Sequence, residues 1–119
     1  ALRDSGLRVG PSRAAAKVPP ARLQAVREAV GSQQRLKFGY EDAHGQRSER
    51  IVWPFALGYF DEVPMLAAWC ERREDFRHFR LDRIRRVRVM EDRYLVPRAT
   101  LLRRWQKAQG IAPDWLDRS

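Results

Sequence analysis

A succession of short apolar runs between Leu36 and Met90 is the feature that most restricts how this chain folds. Leu36, Phe38 and Tyr40 alternate with polar residues or glycine, and further short runs follow, separated by turn residues. The runs do not alternate with crossover helices, so neighbouring runs are expected to pair antiparallel. We predict a mainly β (α+β) domain built on five or six short strands in a small, strongly bent antiparallel sheet or barrel.

The limits of the strands follow from the turn residues. Leu36 to Tyr40 is a half-buried strand, and the turn at Asp42 to Gly45 joins it to a second strand, which Pro54 is predicted to end. The remaining predicted strands are Phe55 to Phe60, Met65 to Glu71, Phe76 to Leu81 and Arg86 to Met90, with a helical turn at Leu81 to Ile84 before the last.

A helix is predicted at each end of the sheet. Apolar residues recur at helical spacing from Ala21 to Val30, with Gly31 as the C-cap. The segment Pro97 to Gln109 has a second apolar stripe and ends at Gly110; the stripe consists of Leu101, Leu102, Trp105 and Ala108. A helix of about thirteen residues is marginal alone, so this stripe must be buried. It is expected to pack either on the barrel or on a second copy of the chain, and we predict the second copy, which would give a homodimer.

A length of 119 residues suits one domain. We predict a linker over residues 1–20, a barrel domain with its leading helix over 21–94, and a C-terminal helical extension over 95–119. Because the sequence begins without Met, we interpret it as a piece of a longer chain.

The charge of the chain indicates an anionic partner. Twenty-four Lys and Arg against fifteen Asp and Glu give a net charge of +9, and the pI is about 10.9. Nucleic acid, an acidic small molecule and an anionic membrane surface all fit this charge. No run approaches the ~18 apolar residues of a membrane span. The single Cys70 lies in an apolar run, which favours a buried thiol in a reducing cytoplasm.

Catalysis has little support in the sequence. The histidines, His44 and His78, are predicted in a turn and a strand, and no spacing of Ser, Cys or His matches a nucleophile with its base. A zinc site needs three or four converging ligands, which this sequence does not suggest. We therefore predict a protein that is not an enzyme, with no cofactor and no metal site.

The strand Phe76 to Leu81 interleaves aromatic and basic side chains. Residues two apart share a face, so Phe79 and Leu81 are expected to enter the core. The opposite face would then present a surface for base stacking and phosphate contact, formed by Phe76, His78 and Arg80. Alternatively, single arginines pair with Asp82, Glu49 or Glu71 and hold strands together.

Several motifs resemble the WYL domain, a regulatory domain behind the winged helix-turn-helix of many bacterial transcription factors. The matching segments are Leu36-Lys37-Phe38-Gly39-Tyr40, Ser48-Glu49-Arg50 before Trp53-Pro54, Gly58-Tyr59, Leu66-Ala67-Ala68-Trp69-Cys70, and Asp75-Phe76-Arg77-His78-Phe79-Arg80-Leu81-Asp82-Arg83-Ile84. One departure is that the eponymous Trp-Tyr-Leu falls on Pro64-Met65-Leu66, so only the leucine is kept.

The resemblance implies an SH3-like or Sm-like barrel with a basic pocket that senses nucleic acid or another anionic, nucleotide-like effector. Arg77, Arg80 and Arg83 would hold the anionic group and Arg50 would extend the patch, while His78 and Tyr59 would stack or hydrogen-bond. Arg80→Ala and Arg83→Ala are then expected to weaken binding with little loss of stability. Two alternatives stay open: a ligand-free oligomerisation scaffold of the same regulator, and an RNA-binding barrel.

Overall fold

The computed structural model describes residues 18–109, and in this part of the chain five antiparallel strands form one sheet between two helices. The elements are α1 (Pro20–Ser32), β1 (Gln34–Glu41), β2 (Arg47–Phe60), β3 (Val63–Cys70), β4 (Asp75–Arg80), a 3₁₀ turn (Leu81–Arg83), β5 (Ile84–Arg93) and α2 (Arg98–Gln109). The predicted mainly β fold with a helix at each end is confirmed.

The sheet curls towards a barrel because its two edge strands follow each other in the chain. The strand order is β4-β3-β2-β1-β5, so β4 and β5 lie at opposite edges. Only the three-residue turn Leu81–Arg83 joins them, and three residues span at most about 10 Å. The two edges must therefore approach each other, which gives a barrel-like sheet.

Both faces of the sheet are covered, as β3 shows most clearly. Ala67 and Ala68 are adjacent and fully buried, yet they belong to separate apolar clusters because successive strand residues point to opposite faces. The first cluster fills the barrel and includes Val26 of α1. The second includes Trp105 of α2. The nearly continuous apolar sequence of β3 is explained by this double burial.

Pro54 does not end a strand, and that prediction is wrong. β2 runs without interruption from Arg47 to Phe60, with a bulge between Pro54 and Ala56. Two side chains donate hydrogen bonds to carbonyl oxygens at the bulge: the Tyr94 hydroxyl to Pro54 at 2.7 Å, and the Arg98 Nε to Phe55 at 2.8 Å. These bonds satisfy backbone acceptors at the irregularity. Proline, which lacks an N–H donor, is tolerated within the strand because it lies at the bulge.

Gly31 is not the C-cap of α1. The helix continues to Ser32, and Gln33 takes the left-handed conformation at φ 56°, donating its N–H to the Ala29 carbonyl. The Gln33 side-chain oxygen also accepts a hydrogen bond from the N–H of Arg98, the first residue of α2, at 2.9 Å. One residue thus ends α1 and caps α2. The predicted cap at Gly110 lies outside the described residues.

Part of the apolar stripe of α2 packs on its own sheet. Leu101 is 2% exposed and Trp105 is fully buried, with the Trp105 ring 5.7 Å from that of Phe55 on β2. Packing on the barrel, one of the two predicted alternatives, is therefore confirmed for Leu101 and Trp105. Leu102 is half-buried and Ala108 is exposed, and a homodimer stays a prediction. Neither helix in residues 18–109 is long and apolar enough to cross a bilayer.

The domain boundaries also stay predictions, since residues 1–17 and 110–119 lie outside the described part of the chain.

Arg35 forms an ion-pair network that joins three strands. Its guanidinium donates to both oxygens of Glu71, at 2.8 and 3.0 Å, and to Asp92 on β5 at 2.9 Å. The Trp53 indole N–H donates to the same Glu71 carboxylate at 2.7 Å. The hydrogen bond from Arg35 is the main reason that the pKa of Glu71 lies below its usual value. Arg35 and Glu71 thus serve the fold.

Candidate anion-binding site

Arg50 is the centre of the candidate site. It is aligned with Phe38 on β1, so its side chain is directed to the interior face of the barrel. Its Nε donates to Ser48 Oγ at 3.0 Å, its Nη1 lies 3.7 Å from Cys70 Sγ, and its guanidinium carbon lies 5.7 Å from the centre of the Phe79 ring. Arg50 is half-buried, and no carboxylate of residues 18–109 forms an ion pair with it.

A trio of aromatic rings supports this guanidinium. Phe38, Tyr40 and Phe79 pack edge to face, with centroid separations of 5.1 to 6.2 Å. The Tyr40 hydroxyl also accepts a hydrogen bond from the backbone N–H of Arg80 at 3.0 Å. The aromatic trio therefore connects Arg50 on β2 with the end of β4. Tyr40 and Ser48 were not among the predicted site residues, although both occur in the motifs that suggested the family.

Arg80 is engaged within the fold. Its Nε and Nη2 donate to the two oxygens of Asp82 at 3.0 and 2.8 Å, and the Asp82 side chain is only 9% exposed. The hydrogen bonds to Asp82 raise the pKa of Arg80. Burial alone would raise the pKa of Asp82, but the bonds and charge of Arg80 bring it below its usual value. The pairing of an arginine with Asp82, proposed as an alternative from the sequence, is confirmed.

Arg80→Ala is expected to lower the free energy of unfolding by about 1–2 kcal/mol, because it leaves a poorly exposed carboxylate without its partner. Arg83→Ala is expected to change it by less than about 0.5 kcal/mol, since Arg83 forms no ion pair within residues 18–109 and its charge affects the pKa of Asp82 less than Arg80 does. Urea unfolding of both variants measures the difference. Equal losses would contradict the role of the Arg80–Asp82 pair. Because of this pair, the little loss of stability that the sequence predicts for Arg80→Ala is no longer expected.

The other predicted site residues, Arg77, Tyr59 and Arg83, do not gather around Arg50. Arg77 is exposed on the edge strand β4, aligned with Ala68. Tyr59 is 44% exposed near the β2–β3 turn, and eight residues of β2 lie between it and Arg50, so the two are up to about 30 Å apart along the strand. The structure therefore does not bring Tyr59 beside Arg50. Arg83 belongs to the 3₁₀ turn that follows Arg80, on the side where Tyr40 contacts β4.

The predicted stacking face of β4 is not open. Phe79 and Leu81 enter the core as expected, but Phe76 packs edge to face on Phe55 at 5.7 Å. The Trp105 indole N–H donates to His78 Nε2 at 2.7 Å, which places His78 beneath α2. The expectation of an exposed stacking surface is wrong for Phe76 and His78, because α2 covers this face of the sheet.

Stability is expected to decrease as the pH falls below about 6.5, the usual pKa of a histidine side chain. Burial lowers the pKa of His78, so the unfolded chain binds a proton more readily than the folded chain between this lowered pKa and 6.5. Protonation also removes the lone pair that accepts the Trp105 bond. His78→Gln keeps an acceptor without titrating there. Urea unfolding at pH 7.5 and 5.5 should show a smaller loss for His78→Gln than for the natural chain; equal losses would contradict this role.

Comparisons with known proteins agree with the motifs. The family model described as "WYL domain" matches residues 21–89, more than half of the chain. A solved structure of proteasome accessory factor B/C (PafBC) of Arthrobacter aurescens is similar, with a TM-score of 0.58 and 27% sequence identity. The similarity covers 76% of this chain and 14% of that one. The chain thus corresponds to a small part of that longer protein.

Proposed function

Because the chain belongs to the WYL domain family, we propose that it is the ligand-sensing regulatory domain of a bacterial transcription factor. A helix-turn-helix domain that reads DNA would precede it in the same protein, and the regulator would act in the cytoplasm. Its effector would be a nucleic acid, such as single-stranded DNA or RNA, or another nucleotide-like anion. The net charge of +9 supports an anionic effector.

The environment of Arg50 is the observation that carries this proposal. A half-buried guanidinium that is stacked on Phe79 and held by Ser48 has fixed donors but no carboxylate partner in residues 18–109. A phosphate or carboxylate group would accept hydrogen bonds from the fork of the guanidinium and supply the missing negative charge. The exposed Arg77, which shares its face of β4 with Phe79, and Arg83 would extend the contact beyond Arg50.

The same geometry favours phosphate recognition over base stacking. Phe79 is only 2% exposed, and Phe76 and His78 lie under α2 or against the sheet. These rings are therefore not free to stack on a base. Binding through phosphates would depend on salt and only weakly on base sequence.

The alternative is a scaffold of the same regulator without a ligand. Its support is the replacement of the Trp-Tyr pair of the family motif by Pro64, which is buried, and Met65, which packs on the second apolar cluster. Arg35 and Arg80 also form ion pairs within the chain. A chain that binds no anion would favour this alternative.

Fluorescence anisotropy with labelled short single-stranded DNA and RNA, and competition by linear and cyclic nucleotides, tests the proposal. Arg50→Gln is expected to weaken binding about tenfold, the effect of losing one charge-assisted contact. Arg72→Gln removes the same charge from an exposed turn and is the matched control. It should change the affinity less than about twofold. Equal effects of the two variants would show that Arg50 is not the site.

A further inference from the structure

A bulge between β1 and β5 places two arginines at one end of the sheet. Lys37 is aligned with Arg88, but Gly39 is aligned with Arg85, so β5 has two residues opposite the single residue Phe38. One of these two, Arg86, has φ of 52°. This left-handed conformation favours glycine and costs other residues free energy. An arginine in this position therefore needs an explanation beyond strand pairing.

The Arg86 guanidinium lies over the backbone of Gly39. A Cβ atom added to Gly39 would lie 2.8 Å from Arg86 Nη2 and 3.4 Å from its Cζ. The guanidinium thus occupies the space that any other residue at position 39 would fill. This close approach directs the charge of Arg86 into a cleft of about 330 Å³, which Arg85 and Ser48 also line.

The positive charge of the cleft is not neutralised within the described chain. The two carboxylates that line it already have partners: Glu41 accepts from Arg47 at 3.2 Å, and Glu49 lies 3.8 Å from Lys37 Nζ. No carboxylate of residues 18–109 forms an ion pair with Arg85 or Arg86.

The neighbouring helix α1 shows the same excess of positive charge. Arg22 donates from Nη1 to the Leu81 carbonyl at 3.4 Å, and its pKa is lowered by burial and then by the charge of Arg85. Arg85 and Arg22 thus lie near enough for their positive charges to repel each other.

We propose that this cleft is a second anion site, in which Arg85 and Arg86 hold a phosphate group over Gly39. The phosphate could belong to a monoester or to the diester backbone of a nucleic acid. The volume lies at the lower end of the range of small-ligand sites, about 300–1,000 Å³. Ser48 lines the cleft and also accepts the hydrogen bond from Arg50 Nε, so the cleft adjoins the environment of Arg50. The inference goes beyond the proposed function and does not depend on it.

Two substitutions test the site in complementary ways. Arg86→Gly removes the guanidinium and also relieves the left-handed backbone, so it should raise the thermal midpoint while weakening phosphate binding about tenfold. Gly39→Ala keeps every charge, but its Cβ displaces the end of the Arg86 side chain, and it should weaken binding while the fold is retained. Arg104→Gln, on the exposed face of α2, is the control for loss of charge.

The measurement is an NMR titration of the full 119-residue chain with inorganic phosphate and, separately, with a thymidine dinucleotide that contains one phosphodiester. If the cleft binds phosphate, the chemical shifts of the amide signals at positions 39 and 86 should change in a saturable way. These changes should be smaller in Arg86→Gly and Gly39→Ala but not in Arg104→Gln. Shifts with phosphate alone would identify a monoester ligand, and shifts with both would identify a nucleic-acid backbone. The absence of saturable shifts with either probe, or natural affinity in both variants, would overturn the proposal.

Discussion

Phe79→Ala is expected to lower the free energy of unfolding by about 3–5 kcal/mol, the usual cost of deleting a buried phenylalanine. Phe79 is 2% exposed, and its ring packs edge to face on Phe38 and Tyr40, each 5.1 Å away. Because domains of this size are stable by about 5–15 kcal/mol, much of the stability would be lost. Urea unfolding followed by tryptophan fluorescence measures the change.

Phe60→Ala is the matched control for Phe79→Ala. Phe60 is 59% exposed near the β2–β3 turn, so the same truncation there should cost less than about 0.5 kcal/mol. Phe79→Ala should also weaken anion binding, because Arg50 loses the ring on which its guanidinium rests. Similar stabilities for the two variants would contradict the position of Phe79 in the barrel core.

Trp105→Ala is expected to cost about 3–5 kcal/mol as well. Trp105 is fully buried, contacts Phe55 and donates a hydrogen bond to His78, so its truncation opens a cavity between α2 and the sheet. Lys107→Ala, on the exposed side of the same helix, is the control. Urea unfolding gives the free energies, and sedimentation gives the mass of the particle at a protein concentration where the fold is intact.

Urea unfolding and sedimentation together show whether α2 covers its own sheet or joins two copies of the chain. If α2 caps its own sheet, Trp105→Ala lowers the stability and leaves the mass of the folded particle unchanged. A variant of unchanged stability and half the natural mass would show that Trp105 joins two copies of the chain, as the sequence had suggested.

The order of the elements could be predicted because it depends on local patterns. The period-two alternation of Leu36, Phe38 and Tyr40 and the helical spacing from Ala21 to Val30 are properties of adjacent residues. Pro54 was misjudged because the groups that satisfy the bulge are distant in sequence. Tyr94 and Arg98, which bond the Pro54 and Phe55 carbonyls, follow them by 40 and 43 residues.

The site could be predicted less completely for a similar reason. Alternation along β4 assigned Phe79 to the core correctly, but it could not show that α2 covers the other face, where Phe76 and His78 lie. The Arg80–Asp82 pair is two residues apart and was foreseen as an alternative. Arg50 was expected only to extend the patch, since its stacking on Phe79 joins positions 29 residues apart along the chain.

The salt dependence of single-stranded DNA binding tests most directly whether the arginines neutralise phosphates. Three contacts, from Arg50, Arg77 and Arg83, predict that the logarithm of the binding constant falls against the logarithm of salt concentration with a slope of about −2. Arg50→Gln should reduce this slope by about 0.7, and Arg72→Gln should leave it unchanged. No binding at low salt, a slope near zero, or the same slope in the natural chain and Arg50→Gln would contradict an anion site at Arg50.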